Sequence, residues 1–240
     1  MIQSSSDQPL VSCIIAVLNG EAYLQQAIDS LLAQTYPATE IIVVNDGSTD
    51  RTPDVVARYG NRLRLLNQEN RGVSIARNRG VAMSTGSLLC FLDADDLLKP
   101  TKIALQIARF QADPQLQFCD CHTAYFWTPE MSQARREADF RYADPFWRMP
   151  LPGHISTWLF RRQVWERVGE FSAGKQYAED VDWFSRGRDL GLPRLTLSDV
   201  LTLRRLHENN VTTRNPGEQV SDLANMLKAH LLRKRTRKAV

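Results

Sequence analysis

No apolar run in these 240 residues approaches the roughly 18–20 needed to cross a bilayer as a helix, and no basic segment followed by an apolar one opens the chain. A cytoplasmic location is the expectation that follows. Cysteine is sparse. Cys13, Cys90, Cys119 and Cys121 include one C-x-C pair with no second pair, which is not zinc-type spacing. Two of the four sit inside apolar runs, so reduced, buried thiols are expected. A large charge of one sign is lacking too, and a net +3 gives no basis for nucleic-acid binding. The segment after the first apolar run reads LNGEAYL, with no G-x-G-x-x-G, and G-x-x-x-x-G-K-[ST] occurs nowhere. The first absence removes the main fingerprint of a dinucleotide-dependent oxidoreductase, the second that of a P-loop hydrolase. A nucleotide bound here must be held by side-chain carboxylates and a metal.

What is present is an ordinary globular composition, 43% hydrophobic and 24% charged, able to bury a sizeable core. Residues 11–17 (VSCIIAV), 40–44 (EIIVV), 63–66 and 88–92 are apolar runs of strand length. Residues 22–34 and 72–83 between them have helical spacing, and Tyr36-Pro37 ends the first of these helices. The turn 45–50 (NDGSTD) leads into a further helix start, with Ser48 or Thr49 as N-cap. Strands alternating with helices imply βαβ units and an α/β fold with a mostly parallel sheet. Right-handed crossovers then bring Asn19, Asp46 and Asp93 to one edge.

The run LLCFLDADD (88–96) is the centre of this arrangement. A strand apolar at every position is buried on both faces, and this one ends on Asp93, Asp95 and Asp96. In open α/β sheets the ligand crevice lies outside the carboxyl ends of the strands. Clustered carboxylates repel unless a cation or hydrogen-bond donors compensate them, and hard oxygen ligands suit Mg²⁺ or Mn²⁺ shared with substrate phosphates. The plainer reading of DADD is a solvated acidic turn capping the next helix.

The motifs NDGSTDRT, NRGVSIARNRG and FLDADD, in this order and spacing behind VSCIIAVLNGEAYL, resemble the family 2 glycosyltransferases of the GT-A fold. The resemblance is close over residues 10–112 and weaker to about 215. It implies a nucleotide diphosphate sugar donor, a divalent metal and inversion at the anomeric carbon. Position by position, it implies that Asp46, followed by Gly47, contacts the base or ribose, and that Arg77 and Asn78 lie near the donor diphosphate. Asp95 would contact the metal, while Asp93 leans to the ribose or a metal-bound water, with Asp96 able to replace either. The segment Ala16-Val17-Leu18-Asn19 departs from the family pattern. It lacks an aromatic at position 18, so Val17 and Asn19 would line the base pocket without ring stacking. Asp-Gly turn formation and an ordinary solvated helix arginine are the structural alternatives for Asp46 and Arg77.

Beyond the acidic run, residues 101–112 form an amphipathic helix and 118–127 a strand whose alternation puts Cys119 and Cys121 on one face. Residues 139–152, rich in aromatics, arginine and proline, read as a loop that carries acceptor contacts or packs ordinarily. Residues 153–161 read as a strand, 163–168 as a short helix and 195–203 as a further strand. YAEDVDWFSRGRDLG (177–191) opens a helix on acidic residues, which its dipole alone would favour. In the resemblance, Asp180 is the general base, with Glu179 and Asp182 in support. His207 resembles a late histidine that approaches the diphosphate or metal. Residues 218–240 read as a helix whose basic end, Arg233 to Lys238, is either a solvated tail or a peripheral contact with an anionic membrane.

The chain thus divides into a nucleotide-sugar half (1–112), an acceptor-binding half (113–215) and a basic tail (216–240). The expected activity is sugar transfer to a hydroxyl of a carbohydrate or lipid-linked acceptor. The alternatives are transfer to a polyprenyl phosphate, donor hydrolysis, and a non-catalytic sugar-nucleotide-binding module.

Overall fold

Strand β1 (Val11–Val17) alternates between two cores, which explains why it is apolar at nearly every position. Cys13, Ile15 and Val17 pack with Leu24, Ala27, Ile28 and Leu31 of α1 (Leu24–Leu32) and with Ile103, Ile107 and Phe110 of α4 (Lys102–Ala112). Ile14 faces the other way, toward Ala76 and Val81 of α3 (Val73–Met83) and the aromatic group around Trp183. A β-carbon on Gly80 would fall 2.4 Å from Ile14 Cγ2, so glycine lets α3 lie directly on the strand. The computed structural model describes residues 8–129, 154–173, 179–208 and 210. The loop expected over 139–152 and the basic tail expected over 216–240 lie outside them.

Among the described residues eight strands form one sheet in the order β3-β2-β1-β4-β7-β6-β8-β5. The parallel part comprises β1, β2 (Thr39–Asn45), β3 (Arg64–Asn67) and β4 (Leu88–Phe91). Strand β7 (Leu159–Arg161) pairs antiparallel with both β4 and β6 (Phe118–Trp127), and β8 (Arg194–Leu206) runs parallel to β6. The two-residue β5 (Leu97–Leu98) closes the edge on β8. The sheet is continuous across residue 112. The further α-helices among the described residues are α2 (Thr52–Ala57), α5 (Arg162–Val168) and α6 (Glu179–Asp189).

Three local expectations need correction. Residues 153–161 are not one strand. A 3₁₀ turn over Ile155–Thr157, closed by Thr157 onto the His154 carbonyl, precedes the three-residue β7. Neither Ser48 nor Thr49 caps α2, because both are tied to Asn19. Arg51 stands at the N-cap without a side-chain cap bond, and Asp50 before it accepts from the Thr52 amide at 2.9 Å and its hydroxyl at 2.5 Å. Strand β8 runs to Leu206, past the expected end at 203, because its last residues pair with Tyr125, Phe126 and Trp127.

Candidate active site

The carboxyl ends of β1, β2 and β4 converge as expected, and the loops after β1 and β2 are tied together. Asn19, at φ +54°, accepts the Thr49 amide at 2.8 Å on its side chain, while its own amide donates to the Ser48 hydroxyl at 2.9 Å. The Val17 carbonyl receives the Asp46 amide at 2.8 Å. Asp46 is buried, and its carboxylate accepts from Gln68 Nε2 (2.6 Å) and the amides of Arg71 (2.8 Å) and Gly72 (2.9 Å). It therefore shapes the turn that starts α3. Gly47, at φ +80°, lies where a β-carbon would come 2.7 Å from the Asn70 amide nitrogen. Asn78 is turned elsewhere: its side chain clasps the backbone of Phe171, donating at 2.9 Å and accepting at 3.0 Å.

The DADD turn distributes its three carboxylates to three different partners. Asp93 accepts from Arg77 at 2.7 Å and lies 3.3 Å from His154 Nε2. Burial alone would raise its pKa, but Arg77 and His154 hold it well below the usual carboxylate range. Asp96 is buried deepest, accepting the Arg205 amide at 3.1 Å and the Ser156 hydroxyl at 3.3 Å, with His154 Nε2 at 3.2 Å. Burial, together with the charges of Asp95 and Asp93, pushes it well above that range. Asp95 is the most open of the three, and its Oδ2 lies 3.0 Å from His207 Nε2 and 3.2 Å from Asn210 Nδ2. His207 is held in turn by its amide on Asn210 Oδ1 at 2.7 Å and by the Tyr23 ring, 4.7 Å away between centroids.

Arg77 spans the two halves of the site. Buried, it donates to Asp93 and, at 2.5 Å, to Glu179 at the start of α6, 102 residues later in the chain. Glu179 is thus committed to an ion pair, and its half-buried neighbour Asp180 is the more open member of the couple. Burial and then the Glu179 charge raise the Asp180 carboxyl to about 7, against the opposing pull of Arg77. A carboxyl poised there accepts a proton near neutral pH and still retains driving force. Asp182 faces away from this group, accepting from Arg186 one turn later and from Ser172.

The model for "Glycosyl transferase family 2" matches residues 12–176. The chain belongs to that family. It is 32% identical over 228 residues to an uncharacterized glycosyltransferase of Rickettsia prowazekii, covering 90% of this chain and 70% of that one. It is 36% identical over 188 residues to the uncharacterized glycosyltransferase YibD of Escherichia coli, covering 72% and 54%. A Rickettsia typhi relative is 34% identical, with 76% and 60% covered, so the chain spans between about half and 70% of the length of these relatives. Among solved structures, a mannosyltransferase of Pyrobaculum calidifontis in complex with GDP-Man and Mn²⁺ superposes with a TM-score of 0.70 at 22% identity, covering 93% of this chain and 65% of that one. S. aureus TarS 1–349 in complex with UDP-GlcNAc gives 0.67 at 18%, covering 90% and 65%. These likenesses establish the GT-A fold.

Several groups at this site escape sequence reasoning. His154 stands just before the 3₁₀ turn over Ile155–Thr157, and nothing in GHISTW marks it. Ser156, Arg204, Arg205 and Asn210 likewise lack a motif; only the run RRLHENN hints at a polar strand end. Asp93, Asp96 and His154 present three ligand atoms within 4.8 Å of one another. Among the described residues no helix is long and apolar enough to cross a membrane.

Proposed function

We propose that this chain transfers a sugar from a nucleotide diphosphate donor to an acceptor hydroxyl with inversion, residues 1–112 holding the donor and 113–215 the acceptor. The observation that carries this reading is Asp180, a carboxyl raised to about 7 at the mouth of a buried arginine–carboxylate network on the carboxyl edge of the sheet. The acceptor oxygen attacks the anomeric carbon as Asp180 takes its proton. The bond from that carbon to the phosphate oxygen breaks, and the nucleotide diphosphate departs with the electron pair. Arg77 and Glu179 orient this end of α6, and the Glu179 charge keeps Asp180 basic. On the donor side, Val17, Asn19, Asp46 and Gly47 shape the nucleotide pocket, with Asp93, held by Arg77, facing the sugar-phosphate. Asn78 contributes by fixing the 169–172 segment.

Two sets of groups bear on a divalent metal. The buried Asp93, Asp96 and His154 set is compensated already: Arg77 neutralises Asp93, and burial favours a neutral Asp96. Asp95 and His207 fit better, a half-open carboxylate and an imidazole 3.0 Å apart with Asn210 fixing both. Mixed oxygen and nitrogen donors suit Mn²⁺ and tolerate Mg²⁺. A cation held there would neutralise charge on the leaving diphosphate.

The test is Asp180→Asn, which keeps shape and removes the proton acceptor. Transfer should fall by about 10²–10⁴-fold while affinity for the nucleoside diphosphate changes by less than about threefold. Transfer within a few-fold of wild type would show that Asp180 is a helix-end carboxylate without a catalytic role. A carbohydrate or lipid-linked acceptor fits this chemistry, as does a cytoplasmic site of action, with the basic residues between 233 and 238 meeting an anionic membrane surface.

A further inference from the structure

Arg204 is half-buried at the carboxyl edge of the sheet, yet its side chain has no hydrogen-bond or ion-pair partner among the described residues. Its direction follows from its neighbours. Arg205 lies between the rings of Tyr23 and Phe126, each centroid 4.6 Å away, and His207 stacks on Tyr23. Alternation along β8 sends Arg204 to the opposite face, beside its cross-strand neighbour Tyr125. Its backbone cannot drift, because Arg205 donates its amide to Asp96 at 3.1 Å and its Nε to the Asp95 carbonyl at 2.9 Å. The guanidinium is near enough to the acidic turn that Asp96, Tyr125, Asp93 and Asp95 outweigh the effect of its burial and raise its pKa. In return it opposes the rise of Asp96 and, after burial, is the largest influence lowering His154.

An arginine placed among three carboxylates and paired with none keeps its five donors for something else. The buried cations beside it cannot serve, since Asp93 and Glu179 occupy Arg77, and the Asp95 carbonyl and Gln26 occupy Arg205. We propose that Arg204 is a phosphate-binding residue, gripping either the terminal phosphate of the departing nucleotide or a phosphate carried by the acceptor. A planar fork recognises two phosphate oxygens at once, which a point charge does not. This inference rests on the glycosyltransferase reading above and adds to it the group that receives the leaving or attacking anion.

The experiment compares the full chain with Arg204→Gln and Arg204→Lys by calorimetric titration. The probes are UDP and GDP, their monophosphates, a short isoprenyl phosphate, and Mn²⁺ alone. Arg204→Gln should weaken either a diphosphate or the isoprenyl phosphate by about 10–100-fold, with the monophosphates and Mn²⁺ within about threefold and Lys recovering part of the loss. Loss on the diphosphates assigns Arg204 to the leaving group, and loss on the isoprenyl phosphate assigns it to the acceptor. Unchanged binding of every probe overturns the proposal, as does a parallel loss of Mn²⁺, which would make Arg204 a charge balance for the acidic turn. Should Arg204→Gln fail to fold, Arg204→Lys must show the same ordering with a smaller loss. A wild-type chain that binds neither diphosphate, with or without Mn²⁺, would refute the donor reading itself.

Discussion

A base held near neutrality should be visible in the stability of the protein as well as in its rate. Asp180 rises from an ordinary 3.8 to about 7 because burial and Glu179 disfavour its charge. Below the unfolded value both states carry the proton and nothing is lost. As pH climbs toward 7 the unfolded chain ionises while the folded site stays neutral, so stability falls; above about 7 the loss is complete. A shift of about three units corresponds to about 4 kcal/mol at most, and partial exposure of Asp180 reduces this to about 1–2 kcal/mol by solvent screening. Asp180→Asn removes the charge and can still accept the Val181 amide, a 2.7 Å contact in the wild type. The variant should therefore melt about 2–8 °C higher than wild type at pH 8, with the difference shrinking steadily as pH falls toward 4. Thermal unfolding across pH 4–8.5 measures this directly. A variant equal to or less stable than wild type at pH 8 would refute the argument that Asp180 is a destabilised carboxylate.

Two further outcomes follow from the turns that carry the site. Asp95→Asn should abolish the Mn²⁺-dependent part of nucleoside diphosphate binding with an unchanged circular dichroism spectrum; an unaltered Mn²⁺ dependence in calorimetry would remove Asp95 from the metal. Gly47→Ala meets a left-handed backbone and a 2.7 Å approach to the Asn70 nitrogen, and should cost about 2–4 kcal/mol in urea unfolding; a change under about 0.5 kcal/mol would show that the turn relaxes freely.

The parallel half of the fold is legible because each of its strands is governed by a local rule. A strand covered on both faces is apolar throughout, and residues 11–17 and 88–91 satisfy that condition without reference to anything distant. The strand at 118–127 is read with its observed ends for a similar reason. The second half resists where the chain is organised by remote partners. Residues 153–161 look like a strand by composition, yet they must turn at Ile155–Thr157 so that Ser156 and His154 reach the acidic turn from the far side of β4. The end of β8 is set by pairing with Tyr125–Trp127 across a bulge, which no periodicity within 195–203 announces.

The site divides along the same line, and the division has a physical origin. Asp93, Asp95 and Asp180 follow strand or helix ends, where short-range sequence marks the position, so their motifs point to them. What each carboxylate does depends on compensation, and compensation comes from afar. Arg77 reaches Glu179 across 102 residues, and His207 reaches Asp95 across 112. Three carboxylates within four residues look interchangeable in sequence. In the fold one is neutralised by an arginine, one is buried so that its pKa rises, and one is left half-open beside an imidazole. That ranking decides which oxygen is available to a cation. It follows from the cations and amides that long-range packing delivers to the turn, and those of Arg205 and His154 come from segments with no motif at all.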